Sequence, residues 1–293
     1  MTRPPVLTDR PTLDRNRAKA SAGFLHDEAA REIKERLTEV NRSFRSSAIV
    51  TGFRQFWVDM LPGAQVVDDA DLLSLLPGSH DLVIHALSLH WANDPVGQLV
   101  QCRRALKPDG MFIAVLFAGQ TLAELRACLG EAEARETGGL SPRIVPMGEI
   151  RDLGGLLQRA GFALPVADSS RRVVTYATPR ALMRDLRAMG EANALAGRLR
   201  RPTASRVFAA AERLYTETYG EASGAADGGA KDGAPRVRAT FEMVFLTGWA
   251  PADSQPKALR PGSASQRLAD ALGAVETALP DQPASGRAGD RRD

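Results

Sequence analysis

A strand–helix–strand pattern in residues 81–119 constrains the fold of this chain more than any other feature. It begins and ends with apolar runs that are typical of strands buried on both faces. Between them, Asn93 or Asp94 can cap a helix whose first residue is Pro95. Because a unit of this kind joins two parallel strands, the sequence predicts an α/β fold with a mostly parallel sheet.

The composition divides the chain into three segments. Residues 1–23 are polar and rich in arginine, and we expect them to form a flexible arm. Residues 24–250 are predicted to form one domain, with a flexible insertion rich in Gly, Ala and Asp over residues 220–235. Residues 251–293 are predicted to be a mostly disordered tail. The apolar alternation of residues 237–249 predicts a last, antiparallel strand.

Charge and cysteine content restrict the classes of partner and compartment. The net charge of +3 comes from scattered arginines rather than from a basic stripe, so we expect no nucleic-acid binding. Cys102 and Cys128 fall in predicted helices, which favours a reducing compartment. The chain shows no signal-peptide pattern and no long uncharged apolar run, so we expect a cytoplasmic protein without a membrane span.

Several motifs resemble a known family. The sequence DLVIHALSLHWANDP followed by LKPDG resembles the fourth and fifth strands of class I S-adenosylmethionine-dependent methyltransferases. The resemblance is to one branch of that superfamily, which contains the malonyl-carrier-protein methyltransferases of biotin synthesis and the arginine hydroxylase of mitochondrial complex I assembly. Within this branch, the motifs GQTLAELR, GGLSPR and LMRDLRAMGEAN favour the arginine hydroxylase and its alphaproteobacterial relatives over the biotin-pathway enzymes. The resemblance implies a Rossmann-like methyltransferase fold whose antiparallel strand inserts between the fifth and sixth strands.

The loop after the first predicted strand departs from this family. Methyltransferases place a glycine-rich turn there, which lets the backbone approach the methionine part of the cofactor. In this chain only Gly52 remains, and the bulky residues Phe53, Phe56 and Trp57 follow it. We therefore expect S-adenosylmethionine binding to be impaired or altered. If these aromatic side chains enter the crevice, the cofactor site is filled; if they pack under the preceding helix, a shallow site survives.

The next segment is too short for the family pattern. Residues 53–64 cannot hold both a helix and a complete βα repeat, so the sequence predicts that one βα unit is missing. In the preferred register, Asp69 and Ala70 match the adenine-contacting turn that follows the third strand of the family. In the alternative register, Asp68 or Asp69 is the acid that binds the ribose.

The resemblance also implies a set of site residues, each with a structural alternative. Ligands of open α/β sheets bind beyond the carboxyl ends of the strands. The predicted cofactor contacts are Gly52, Asp69, Ala70, Ala86, Leu87 and Ser88. The catalytic candidates are His90, Glu191 and Asn193, and the substrate candidates are Trp91 and Arg143. The alternatives are a structural hydrogen bond for His90, helix capping for Glu191 and Asn193, and solvation for Arg143. The histidines and cysteines lack zinc-type spacing, so no metal site is predicted.

These observations leave three functions open. The first is an S-adenosylmethionine-dependent methyltransferase with impaired cofactor binding. The second is a complex I assembly factor that hydroxylates a protein arginine, with a respiratory complex I subunit as its partner, although no two-His-one-carboxylate set can be assigned. The third is a non-catalytic binding module that keeps the fold.

Overall fold

The computed structural model describes residues 6–221 and 236–256. Most of the predicted insertion over residues 220–235 and most of the predicted tail over residues 251–293 lie outside these ranges. In the two described ranges, no helix combines the length and the apolar character needed to cross a membrane.

Strands and helices are interspersed along the described ranges, as the sequence predicts for an α/β fold. The strands are β1 (Ser47–Val50), β2 (Gln65–Val67), β3 (His80–Ala86), β4 (Leu106–Phe117), β5 (Ala163–Tyr176), β6 (Gly220–Glu221) and β7 (Arg236–Trp249). The helices are α1 (Arg10–Arg17), α2 (Phe24–Glu39), α3 (Arg54–Trp57), α4 (Pro95–Ala105), α5 (Ala123–Thr137), α6 (Ile150–Arg159), α7 (Pro179–Ala188) and α8 (Ser205–Tyr219), with a 3₁₀ turn at Leu89–Trp91.

One mixed sheet runs through the molecule in the order β2-β1-β3-β4-β7-β5, and the short β6 pairs with β7. The pairs β1–β2, β1–β3 and β3–β4 are parallel. Strand β7 is antiparallel to both of its neighbours, β4 and β5. The predicted methyltransferase-like fold, with an antiparallel strand inserted near one edge, is therefore confirmed.

The opposite edge of the sheet is shortened. In the described sheet a single strand, β2, lies beyond β1, which agrees with the predicted loss of one βα unit. Strand β2 pairs directly with β1, which is the position of the second strand in the 3-2-1-4-5-6 order of doubly wound folds. This position supports the alternative register, in which Asp69 stands where the family has its ribose acid, rather than the preferred one.

Helices cover both faces of the sheet because successive strand residues point to opposite sides. Ile49 and Ile84 pack in a core cluster with α2, α3, α5, α7 and α8. Val50 and Val83 pack in a second cluster with α4 and α6. The helix predicted at Pro95 begins there, and its cap is Asp94, whose Oδ1 accepts a hydrogen bond from the Gly97 N–H at 2.8 Å.

The aromatic residues that follow Gly52 pack against α2. Phe53 and Trp57 are fully buried in the same core cluster as the inner face of that helix. The Trp57 indole N–H donates to Nδ1 of His26 at 2.9 Å, and the Phe56 ring stacks on His26. Burial lowers the pKa of His26 to about 4, which keeps this acceptor nitrogen unprotonated at neutral pH. Because these rings are engaged with α2, they leave room for a shallow crevice beyond the strand ends.

The N-terminal segment differs from the flexible arm that its polar composition predicts. Asp9 caps α1, with Pro11 in the first turn, and Leu13 of this helix is fully buried. We call residues 7–22 the strap. Its backbone is bonded to the last residue of α7, where Ser21 N–H donates to the Ala188 carbonyl at 2.8 Å, and to the loop after this helix, where Asp9 N–H donates to the Ala194 carbonyl at 2.8 Å.

We expect Leu13→Ala to lower the free energy of unfolding by about 2–5 kcal/mol, because it leaves a cavity among buried apolar side chains. Val6→Ala serves as the control, since Val6 is 54% exposed and its truncation should cost less than about 0.5 kcal/mol. Urea denaturation of both variants measures the difference. Equal effects of the two substitutions would show that α1 is not part of the folded unit.

Candidate functional site

Hydrogen bonds join the carboxyl ends of β1 and β3, where the sequence places the cofactor contacts. The Gly52 N–H donates to Oγ of Ser88 at 2.9 Å, and the Ser88 hydroxyl donates to the Ala86 carbonyl at 3.0 Å. Leu87 adopts the left-handed region with a φ of 43°, which turns the chain sharply after β3. The structure therefore brings together Gly52, Ala86, Leu87 and Ser88 in one place.

Two arginines of the strap bind Asp69, which follows β2 and is fully buried. Nη1 of Arg17 lies 2.9 Å from both carboxylate oxygens, and Nη2 of Arg10 lies 2.6 Å from Oδ1. Nη1 of Arg10 also donates to the Asp69 carbonyl at 2.9 Å. Burial opposes ionisation of Asp69, but the charges of Arg17 and Arg10 outweigh it and hold the pKa of this carboxyl below its ordinary value. Sequence reasoning missed both arginines, although Asp9 and Pro11 form a helix-start signal.

The Arg17 guanidinium covers Gly52. A Cβ atom at Gly52 would overlap Nη1, Cζ and Nε of Arg17. The same guanidinium lies 4.9 Å from the centroid of the Phe53 ring, a cation–π distance. Arg17 is 3% exposed, and its buried Nε and Nη2 have no hydrogen-bond partner in the described chain.

The docked strap occupies part of the crevice in which S-adenosylmethionine is predicted to bind. The glycine and the carboxylate that would meet the cofactor both contact Arg17, and a groove of about 580 Å³ remains beside them, lined in part by Gly52, Ala70 and Asp71. A nucleoside hydroxyl cannot bond Asp69 at the position that Arg17 holds. With the strap docked, Arg17 binds both carboxylate oxygens of Asp69 and fills the space above Gly52.

Gln98 links this crevice to the buried His85. Its side-chain amide group donates to the carbonyls of Asp69 and Ala70 at 2.9 and 3.1 Å. Its Oε1 lies 2.8 Å from Nε2 of His85, so the imidazole must donate from that nitrogen. Burial lowers the pKa of His85 to about 4, which is consistent with a neutral ring. His85 and Gln98 thus have a structural role in shaping the turn around Asp69.

A second cavity, of about 220 Å³, lies beyond the carboxyl ends of β3 and β4. Its wall is mostly apolar and includes Leu25, Phe117, Leu125, Leu186, Met189 and Phe241. Three of the predicted site residues, His90, Trp91 and Glu191, contribute polar groups to this wall, which also includes Thr121, Arg143, Arg187 and Asn193. The sequence separates Glu191 from the other two by about a hundred residues, and the fold brings all three together.

Glu191 is the central polar group of the second cavity, and its side chain is 10% exposed. Its Oε2 accepts a hydrogen bond from the Trp91 indole N–H at 2.7 Å and lies 3.4 Å from Nε2 of His90. Its Oε1 and Nδ1 of His90 are buried and have no partner in the described chain. Burial opposes ionisation of Glu191, but the interactions with His90, Arg17 and Trp91 outweigh it and hold the pKa of this carboxyl below its ordinary value.

Arg143 and Asn193 also line the second cavity, but their polar groups bind the protein itself. Arg143 contacts the Glu133 carboxylate through Nη2 at 2.6 Å and through Nε at 3.0 Å. The Asn193 amide donates to the Pro142 carbonyl at 2.9 Å, and its Oδ1 accepts from the Leu195 N–H at 3.0 Å. The structure thus shows Arg143 in an ion pair and Asn193 bracing a loop, and the predicted roles of both residues toward a substrate stay predictions.

Residues 6–221 and 236–256 contain no group of three or more His, Cys, Asp or Glu side chains arranged to hold an ion. Cys102 and Cys128 are buried free thiols.

The free energy of unfolding should depend on pH because the Glu133 carboxylate pairs with Arg143. Burial raises the pKa of Glu133, but the hydrogen bonds from Arg143 and Ser141 outweigh this effect and lower the pKa to about 2. A carboxyl whose pKa falls on folding stabilises the protein above its unfolded pKa, and this stabilisation is lost as the pH falls through the folded pKa. We expect Glu133→Gln to cost about 1–3 kcal/mol at pH 7 and less at pH 4.

Urea denaturation of wild type and variant at both pH values measures this difference. Glu131→Gln on the same helix is the matched control, because Glu131 forms an exposed pair with Arg135 that should contribute only about 0.3–0.5 kcal/mol. A difference for Glu133→Gln that stays constant between pH 7 and pH 4 would contradict the lowered pKa.

Comparison with known proteins agrees with the fold and with the motifs. The family model described as "Methyltransferase domain" matches residues 21–114. The chain is 37% identical to the mitochondrial arginine-hydroxylase NDUFAF5 of Danio rerio over 79% of its own length and 68% of that protein. It is 37% identical to the same protein of Homo sapiens, over 75% of this chain and 60% of that one.

A second group of relatives is the malonyl-[acyl-carrier protein] O-methyltransferases. The chain is 35% identical to the enzyme of Laribacter hongkongensis over 64% of its own length and 57% of that protein. Together with the sheet order, these similarities identify the family. The chain belongs to the class I S-adenosylmethionine-dependent methyltransferase superfamily, in the branch of NDUFAF5 and malonyl-[acyl-carrier protein] O-methyltransferase.

Proposed function

We propose that this protein recognises an arginine side chain of a protein partner in the second cavity, and that its binding of S-adenosylmethionine is weakened. The observation that carries the proposal is Oε1 of Glu191, a buried carboxylate oxygen without a hydrogen-bond donor in the described chain. Leaving such an acceptor unpaired is unfavourable, because the group has lost water and gained no partner. A ligand that brings N–H donors into the cavity would remove this deficit.

A guanidinium group suits this carboxylate better than other donors. It is planar and permanently charged, and its N–H groups match the geometry of carboxylate oxygens. The three methylenes of an arginine side chain would lie against the apolar wall, including Phe117 and Leu186, while the charged head reaches Glu191. The name arginine-hydroxylase, which the NDUFAF5 relatives carry, supports the same type of side chain.

The partner and location are part of the proposal. By resemblance to the complex I assembly branch, we propose that the arginine belongs to a respiratory complex I subunit. The cytoplasmic location expected from the sequence stays a prediction. In this proposal the chain's own residues bind and orient the side chain: Trp91 and His90 hold one oxygen of Glu191, and the other, which has no donor in the described chain, would accept from the ligand.

A second candidate function is methyl transfer from S-adenosylmethionine to a substrate held in the same cavity. It is favoured by the match of the methyltransferase family model to residues 21–114, which include Gly52, Asp69 and Ser88. When bound, the cofactor would supply an electrophilic methyl group. This function requires that the crevice at Asp69 accept the cofactor, and the contacts of Arg17 oppose it.

Binding of Nα-acetyl-L-arginine amide tests arginine recognition. We expect calorimetry to show binding of this compound and at least about tenfold weaker binding of Nα-acetyl-L-citrulline amide, which has the same shape without the charge. Glu191→Gln should remove most of this preference for arginine, because the neutral amide replaces the anionic acceptor.

Glu149→Gln is the matched control, since Glu149 is exposed at the start of α6 and its substitution should leave the affinity unchanged. Equal affinity for the arginine and citrulline compounds, or an arginine affinity that Glu191→Gln leaves intact, would refute the proposal.

A further inference from the structure

We propose that Arg17 is an internal competitor of the cofactor, so that docking of α1 and binding of S-adenosylmethionine at Asp69 exclude each other. The strap then acts as an autoinhibitory element of the methyltransferase domain. This inference does not depend on arginine recognition in the second cavity, because it concerns a different site and a different ligand.

The hydrogen-bonding capacity of Asp69 gives the first argument. Arg17 binds both carboxylate oxygens, and Arg10 binds Oδ1 and the backbone carbonyl of the same residue. Gln98 also donates to that carbonyl. A ligand hydroxyl or amine that needs the carboxylate must first displace the guanidinium.

The space above Gly52 gives the second argument. Glycine at this position leaves the backbone accessible to a ligand, but the Arg17 guanidinium lies within the volume that even a Cβ atom would need. The Phe53 ring lies beside the guanidinium and holds it in place. One side chain thus covers both the carboxylate and the glycine.

The bonding of Arg17 indicates that its place can be vacated. Nε and Nη2 of Arg17 are buried and unpaired in the described chain, so this guanidinium gives up water without replacing all of its hydrogen bonds. Besides the arginines at Asp69, several polar contacts connect α1 to the rest of the domain, including the bond from Nη2 of Arg198 to the Thr12 hydroxyl at 2.9 Å. Another is the bond from the side-chain amide of Asn16, which donates to the Ala192 carbonyl at 3.0 Å.

Release of the strap would also reach the second cavity. Asn16 binds Ala192, and Asp9 binds Ala194, on either side of Asn193 in the loop that carries Glu191. Gly190 at the start of this loop lies close to the Arg17 backbone, and a Cβ added there would come within 3.2 Å of the Arg17 Cα, a tight contact. Displacement of α1 would therefore free the loop at the moment the cofactor crevice opens.

Calorimetric titration with S-adenosylhomocysteine tests the competition. We expect Arg17→Ala to bind it at least about tenfold more tightly than wild type, because the substitution frees both the carboxylate and the glycine. Arg15→Ala is the matched control: Arg15 lies on the same helix, is exposed and binds Thr12, so its affinity should equal that of wild type. The gain of Arg17→Ala should disappear in the double variant Arg17→Ala, Asp69→Asn.

Asn16→Ala provides a second, milder variant in case Arg17→Ala does not fold. It removes one strap contact and leaves the crevice unchanged, so we expect about threefold tighter binding than in wild type. Circular dichroism verifies the fold of each variant. The proposal would be overturned if wild type and every folded strap variant bound S-adenosylhomocysteine with equal affinity. It would also be overturned if none of them bound it at 5 mM, which is about the upper limit of the titration.

Discussion

The buried ion pair between Arg17 and Asp69 determines how the N-terminal third of this protein is arranged. Transfer of two charges from water into the interior is costly, and their attraction compensates only when the geometry and the additional hydrogen bonds are good. The Asp69 carboxylate gains an additional hydrogen bond from Arg10, whereas Nε and Nη2 of Arg17 have no partner in the described chain. The pair is therefore better regarded as a device that specifies the position of α1 than as a large source of stability.

The position of α1 connects two sites that the sequence alone presents as unrelated. On one side, the strap covers the crevice at Gly52 and Asp69. On the other side, Leu13 packs with Trp91, Val145, Ala194 and Leu195 next to the second cavity. Because the same short segment contacts both, a change at one site can alter the other through a rigid-body movement of one helix, without any long chain of intermediate contacts.

The two sites differ in how their polar groups are satisfied, which separates their roles. At Asp69 both carboxylate oxygens are bound by the chain's own cations. At Glu191 one oxygen is held by Trp91 and His90, and the other has no donor in the described chain. A carboxylate whose two oxygens are both paired with the protein stabilises the fold, and it can bind a ligand only if its partners leave. A carboxylate with an unpaired oxygen favours a ligand that carries hydrogen-bond donors. This contrast is the reason for proposing the arginine site in the second cavity rather than in the crevice at Asp69.

The sequence by itself determined the elements whose signals are local. The cap at Asp94, the apolar runs of β3 and β4 and the alternation of β7 depend on neighbouring residues, and the structure confirms all of them. The short spacing after Gly52 likewise indicated the missing βα unit. Only the tertiary structure decided that α1 docks, that β2 lies beside β1, and that Glu191 meets His90 and Trp91. These outcomes depend on charges and hydrogen bonds between residues that are distant in sequence, and such pairings have no local pattern from which they can be predicted.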